Sequence, residues 1–230
     1  MESHPRGIAQ ELKQHAVILG GLILLLWILE AIDVVVFQQR LNQYGIRPRE
    51  LSGLWGILFA QFLHGGFDHL IANTVPLLTL GWLVMVRDIR DFWVVSVIGV
   101  VLGGLGTWLV GAGDTVHIGA SGLVFSYFGF LLMRGYFERS VIGIALAVVV
   151  FMLYGGLIWG ILPNQPGISW EGHLFGFVGG AIAARLLARK QQSRLSKSNK
   201  DNIIKPTKKS QADNSPANLA HQPHHGRSIQ

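Results

Sequence analysis

The chain has 230 residues, 50% of them hydrophobic and 14% charged, with a mean hydropathy of +0.41. That balance excludes an ordinary soluble domain and implies several membrane spans. The absence of cysteine excludes disulfides, thiolate metal sites and a cysteine nucleophile. Most of the net charge of +6 lies in the last fifth of the sequence, so no nucleic-acid partner is expected.

Residues 1–15 are polar and mixed in charge and read as a short N-terminal segment. The apolar run from Ala16 to about Phe37 starts too late and runs too long for a signal-peptide core, so it is read as a retained span. Glu30 and Asp33 lie three apart on one face of its distal end. They are expected to be interfacial acids reaching water, with a proton relay as the alternative. Residues 38–63 form a long connection that starts polar and becomes amphipathic, with Trp55, Phe59 and Phe62. An element lying in the membrane interface fits that pattern better than one crossing it.

Five further spans are expected at roughly 69–86, 92–112, 117–134, 140–160 and 171–188, joined by short links and without an internal repeat. Residues 189–230 follow as a basic tail. From Gln191 the composition is too polar to bury a core, so disorder is expected, with Lys197, Lys200, Lys205, Lys208 and Lys209 attracted to anionic lipid. His221, His224 and His225 in this tail are given no function.

Orientation follows from the Lys and Arg count on each side. With the N-terminus inside, the inner segments hold 16 of the 19 basic residues, and the outer segments hold only Arg40, Arg47 and Arg49. Both termini are therefore expected in the cytoplasm. Spans two, four and six are then entered from outside, which places four polar residues in one shallow layer. His69 and Asn73, four apart on one helix face, open the second span. Ser121, between Ala120 and Gly122 and two residues after Gly119, opens the fourth. His173 opens the sixth, on a strip with Gly176 and Gly180.

A serine in a glycine-flanked turn at a helix start is either a packing device or a nucleophile beside unpaired N–H donors. Convergence of His69, Asn73 and His173 at its depth favours the nucleophile, because polar groups in lipid are costly unless paired or functional. A zinc site built from His64, His69, His117 and His173 is the other chemical reading. Against it stands the lack of an HExxH pair, and no metal or cofactor is expected.

These residues resemble the rhomboid intramembrane serine proteases, in their minimal bacterial form, over about residues 16–188. Gly119-Ala120-Ser121-Gly122 matches the family's GxSG; His64, His69 and Asn73 match its HxxxxHxxxN; His173 to Gly180 matches its HxxGxxxG. The resemblance implies an all-α polytopic membrane protein, a six-transmembrane-helix rhomboid-like bundle with an interfacial first loop. It also implies a Ser121–His173 dyad, an oxyanion site formed by the Ser121 N–H with Asn73 and His69, and support from His64, Gly119, Gly122, Phe125, Gly176 and Gly180. The implied substrates are single-span membrane proteins, cut near the extracytoplasmic face of the cell membrane. A catalytically silent relative that only binds such clients is the alternative. Three positions depart from the family pattern: Phe125 stands where many members have Tyr, Met85 stands where many have an acid, and His117 has no counterpart. His117 is expected to sit at the outer interface, with a place lining the active-site entrance as the alternative.

Overall fold

Backbone N–H and C=O groups in lipid must be paired within their own segment, so long apolar runs close into helices. The computed structural model describes residues 7–163, 165 and 167–204. Its α-helices are α1 (Ile8–Ile32), α2 (Gly56–Phe59), α3 (Phe67–Met85), α4 (Ile89–Val110), α5 (Ser121–Glu138), α6 (Val141–Tyr154) and α7 (Trp170–Ile204). A π-turn at Asp33–Phe37 extends α1, and 3₁₀ turns at Arg40–Tyr44, Leu51–Leu54 and Ala60–Phe62 shape the first connection. Another 3₁₀ stretch, Gly155–Ile161, extends α6. Among the described residues extended pairing is limited to one isolated antiparallel bridge between Ile46 and His117.

Helix α5 is the centre. Eleven of its 18 residues are buried, and Tyr127, Phe128 and Phe130 meet Leu19 and Leu26 of α1, Leu77 and Leu80 of α3, Phe92 of α4 and Val150 of α6 in one core. By contrast, α6 buries only Val150 and leaves Val141, Ile142, Met152 and Leu153 widely exposed, as a lipid-facing helix does.

Six spans were expected, and four described segments are long and apolar enough to cross a membrane: Ile8–Phe37, Phe67–Met85, Ile89–Val110 and Val141–Ile161. The two that fall short, α5 and α7, are the helices that carry Ser121 and His173. Helix α5 is largely interior and α7 has one buried face, so they can hold Ser126, Tyr127 and Arg134 on α5 and Glu171 and His173 on α7, all buried. At the C-terminal end of α5, Arg134 pairs with Asp91 at 2.8 Å and Glu138 at 3.1 Å, and Glu138 also meets Arg87.

Three other expectations need correction. Helix α1 starts at Ile8, eight residues ahead of the apolar run, because Glu11, Lys13 and Gln14 are good helix formers whatever their polarity. The chain divides into two compact units after Arg189. The described part of the second is helical to Ile204, where disorder was expected from Gln191. Gln, Arg, Lys and Leu are good helix formers and support the helix over these residues; the expected tail beyond 204 lies outside the described residues.

The third correction concerns Glu30 and Asp33, which do not reach water: they are 1% and 2% exposed. Glu30 Oε1 accepts the Gly66 N–H at 2.8 Å, and Asp33 Oδ1 accepts the Leu41 N–H at 3.0 Å. Gly66 is the N-cap of α3, with φ of +108°, so Glu30 closes the entry to that helix from a neighbouring one. Glu30→Ala is expected to cost about 1–3 kcal/mol through the unpaired N–H. Glu30→Gln keeps an acceptor oxygen and should cost clearly less. Thermal unfolding of the two variants in detergent compares them.

Candidate active site

Ser121 is delivered by a turn that no other residue type would make easily. Gly119 has φ of +113°, a region open to glycine and strained for side chains. Its N–H donates to the Ala60 carbonyl at 2.8 Å, pinning the turn to the first connection. A Cβ on Gly119 would stand 2.7–2.8 Å from the His69 ring. The turn therefore lies directly under His69. Ser121 then opens α5, and among the described residues no acceptor takes its N–H, as expected for the first turn of a helix.

Helix α7 brings His173 to Ser121 because its facing strip is bare. A Cβ on Gly176 would overlap the Gly122 carbonyl oxygen, and one on Gly180 would overlap the Ser126 carbonyl oxygen. The two backbones are therefore in direct contact, the close approach that small residues permit between membrane helices. The crowding is one-sided. A Cβ on Gly122 would meet only ordinary contacts, 3.7 Å from Gln61 Oε1 and the Gly172 carbonyl oxygen.

His173 Nε2 lies 2.8 Å from Ser121 Oγ, and His173 Nδ1 lies 2.9 Å from the carbonyl oxygen of Gly160. A carbonyl can only accept, so Nδ1 carries the hydrogen. In the neutral ring Nε2 is then bare and faces the serine hydroxyl. Phe125 stacks flat on the imidazole, with centroids 4.1 Å apart and an interplanar angle of 10°. The ring is thus held by one hydrogen bond and one face. Aromatic stacking of this kind contributes about 0.5–1.5 kcal/mol.

The same reasoning assigns the donors around the turn. His69 Nδ1 accepts the Gly65 N–H at 3.3 Å, so in the neutral ring the hydrogen sits on Nε2, which lies over Gly119. Asn73 Nδ2 donates one hydrogen to the His69 carbonyl at 3.2 Å and keeps a second. That amide nitrogen is 3.7 Å from where a Gly119 Cβ would be. Two N–H donors, from His69 and Asn73, therefore border the space above Gly119, two residues before the unpaired N–H of Ser121.

His64 is fully buried beside His69, with ring centroids 5.2 Å apart. Its Nε2 accepts the Ala120 N–H at 3.4 Å, and its backbone carbonyl accepts from Asn42 Nδ2 at 2.9 Å. Burial first, and the neighbouring His69 second, push its pKa down to about 4, so it is neutral at physiological pH. It supports the turn and does not face Ser121. His117 is not a free interfacial side chain. It is half-buried and bonded at both ring nitrogens, to Thr115 and Ser169. Among the described residues no three His, Cys, Asp or Glu side chains converge as metal ligands.

Sequence reasoning missed Gly160, Ser169 and Ala60. Gly160 and Ala60 act through backbone carbonyls, which leave no mark in a sequence. Ser169 has one, since a serine immediately before Trp170 fits a helix N-cap, and its hydroxyl does accept the Gly172 N–H at 3.4 Å.

Comparisons with known proteins identify the family. The family model described as Rhomboid domain matches residues 51–190. An uncharacterized protein of Mycobacterium tuberculosis is 45% identical over 175 residues, 72% of each chain. A counterpart in Mycobacterium leprae is 42% identical over 173 residues, 71% of this chain and 68% of that one. A Bacillus subtilis protein named "Putative rhomboid protease YdcA" is 27% identical over 180 residues, 76% of this chain and 88% of its own length.

Proposed function

The chain belongs to the rhomboid family, and from that premise we propose that it is an intramembrane serine endopeptidase working by a Ser121–His173 dyad. The observation that carries this reading is the pair of bonds on His173: Nε2 to Ser121 Oγ at 2.8 Å and Nδ1 to the Gly160 carbonyl at 2.9 Å. A general base needs its lone pair on the nucleophile and its other nitrogen held. Here a backbone carbonyl takes the place that a carboxylate has in a triad.

In the reaction, Ser121 Oγ attacks the scissile carbonyl carbon while its proton passes to His173 Nε2. The imidazolium keeps its Nδ1–H on Gly160. Negative charge on the carbonyl oxygen is met by the N–H groups of Ser121, His69 and Asn73; one such donor is typically worth about 10²–10³ in rate. His173 returns the proton to the leaving amine, and the C–N bond breaks. Water, deprotonated by the same nitrogen, then releases the acyl group and restores Ser121.

The proposal includes six spans, α5 and α7 among them, with both termini in the cytoplasm. That arrangement puts the dyad near the outer face, where a client helix can unwind into water. A cavity of about 30 Å³ beside Ser121, walled by Gln61, Ile118, Gly122, Ser169 and Gly172, supports a small side chain on the residue whose carbonyl is attacked. Substrates are single-span membrane proteins with Gly, Pro or polar residues near that depth, because such segments unwind at low cost. Co-expression with a tagged panel of single-span proteins tests this. The expected result is a fragment cut within the outer part of a client's span, present with wild type and absent with Ser121→Ala. Fragments that persist with Ser121→Ala would refute it.

A further inference from the structure

His117 joins the first connection, the turn before Ser121 and the start of α7. Its backbone N–H and C=O both pair with Ile46, each at 2.9 Å, tying the first connection to the turn that leads into Ser121. Its ring continues the link. The Thr115 hydroxyl donates to the Ala112 carbonyl at 2.7 Å, so it offers only a lone pair to His117 Nε2, 2.8 Å away. Nε2 therefore carries the hydrogen. Nδ1 is left bare and accepts the Ser169 hydroxyl at 2.7 Å. The Ser169 oxygen in turn accepts the Gly172 N–H at 3.4 Å, and the Ser169 carbonyl accepts the His173 N–H at 3.1 Å. Every bond in this chain has a consistent direction, from the first turn of α7 to the end of α4.

Two features make the link consequential. Residues 167–169 form no helix or strand, and the Ser169 side chain ties the start of α7 to His117. The Gly176 and Gly180 strip fixes how close α7 comes to α5, but a glycine surface offers few knobs to resist sliding or rotation. The contact sets separation; height and turn are left to Phe175, which packs on Gly106 of α4, and to the bonds at Ser169.

We propose that His117 is a positioning residue for the Ser121–His173 pair, holding the N-cap residue Ser169 and thereby the height and rotation of the first turn of α7. This rests on the function proposed above. In His117→Asn the Oδ1 atom falls where Nδ1 stands and can accept the Ser169 hydroxyl. In His117→Gln the amide falls where Nε2 stands, keeping the Thr115 contact and losing Ser169. The rate at which a fluorophosphonate probe labels Ser121 in the full-length protein is measured for each, alongside its unfolding temperature.

His117→Asn is expected to label within about threefold of wild type, while His117→Gln, His117→Ala and Ser169→Ala each fall by about tenfold. The double variant His117→Ala/Ser169→Ala should fall no further than either single one. Equal rates for His117→Asn and His117→Gln, or multiplying losses in the double variant, would overturn the proposal. So would labelling rates that merely track unfolding temperature. Failure of wild type to label at Ser121 would instead refute the dyad itself, so the two failures are distinguishable.

Discussion

Ser121→Ala and His173→Ala are each expected to lower peptide cleavage by about 10⁴-fold or more, and the double variant by no more than the worse single one. The reason is geometric. With Nδ1 committed to Gly160 and Nε2 at 2.8 Å from Ser121 Oγ, neither side chain has another partner through which to react. The nucleophile without its base is an ordinary hydroxyl, and the base without its nucleophile has nothing to activate in the first step. Groups acting as a unit lose their effect together, so the losses do not multiply. Residual turnover reflects binding and the donors of Ser121, His69 and Asn73. Initial rates on a cleavable single-span client in detergent, with the three variants side by side, measure this.

The second large effect is expected away from the reacting atoms. Gly176→Ala puts a methyl into the Gly122 carbonyl, and the nearest atoms are all Gly122 backbone, which cannot swing aside like a side chain. The helices must part or tilt. Gly176 is three residues beyond His173, and Gly122 adjoins Ser121, so the displacement passes straight into the dyad distance. Misplacement of about 1 Å is enough for a loss on the order of 10² in rate. Gly122→Ala, on the other side of the same contact, meets its neighbours at 3.7 Å and should leave activity within about tenfold of wild type, a cost set by packing alone. Labelling rates of the two variants, normalised to folded protein, separate the cases. Similar losses from both would refute the one-sided packing account.

The polar residues named from their place in the chain, Ser121, His173, His69, Asn73 and His64, are brought together because three helices start on one side of the fold. Hydropathy marks roughly where these helices start, while the outer-side placement read from the basic-residue count remains part of the proposal. The Gly160 carbonyl was beyond reach, since Gly160 sits in an apolar stretch that reads as more helix, whereas the 3₁₀ winding of Gly155–Ile161 turns its carbonyl towards His173. Glu30 misled for a related reason: a carboxylate near a span end looks interfacial until the N–H it caps arrives from Gly66, 36 residues away. The polar residues that make α5 and α7 poor spans by composition, Ser126, Arg134, Glu171 and His173, are buried. His117 could not be read because its partners, Ser169 and Thr115, gain meaning only once α7 and the turn before α5 lie side by side.

The most direct measurement is mass-spectrometric mapping of the fluorophosphonate adduct on the purified full-length protein. The account predicts one adduct, on Ser121, lost in Ser121→Ala and formed far more slowly in His173→Ala. An adduct on another residue, or labelling of Ser121→Ala at the wild-type rate, would contradict it.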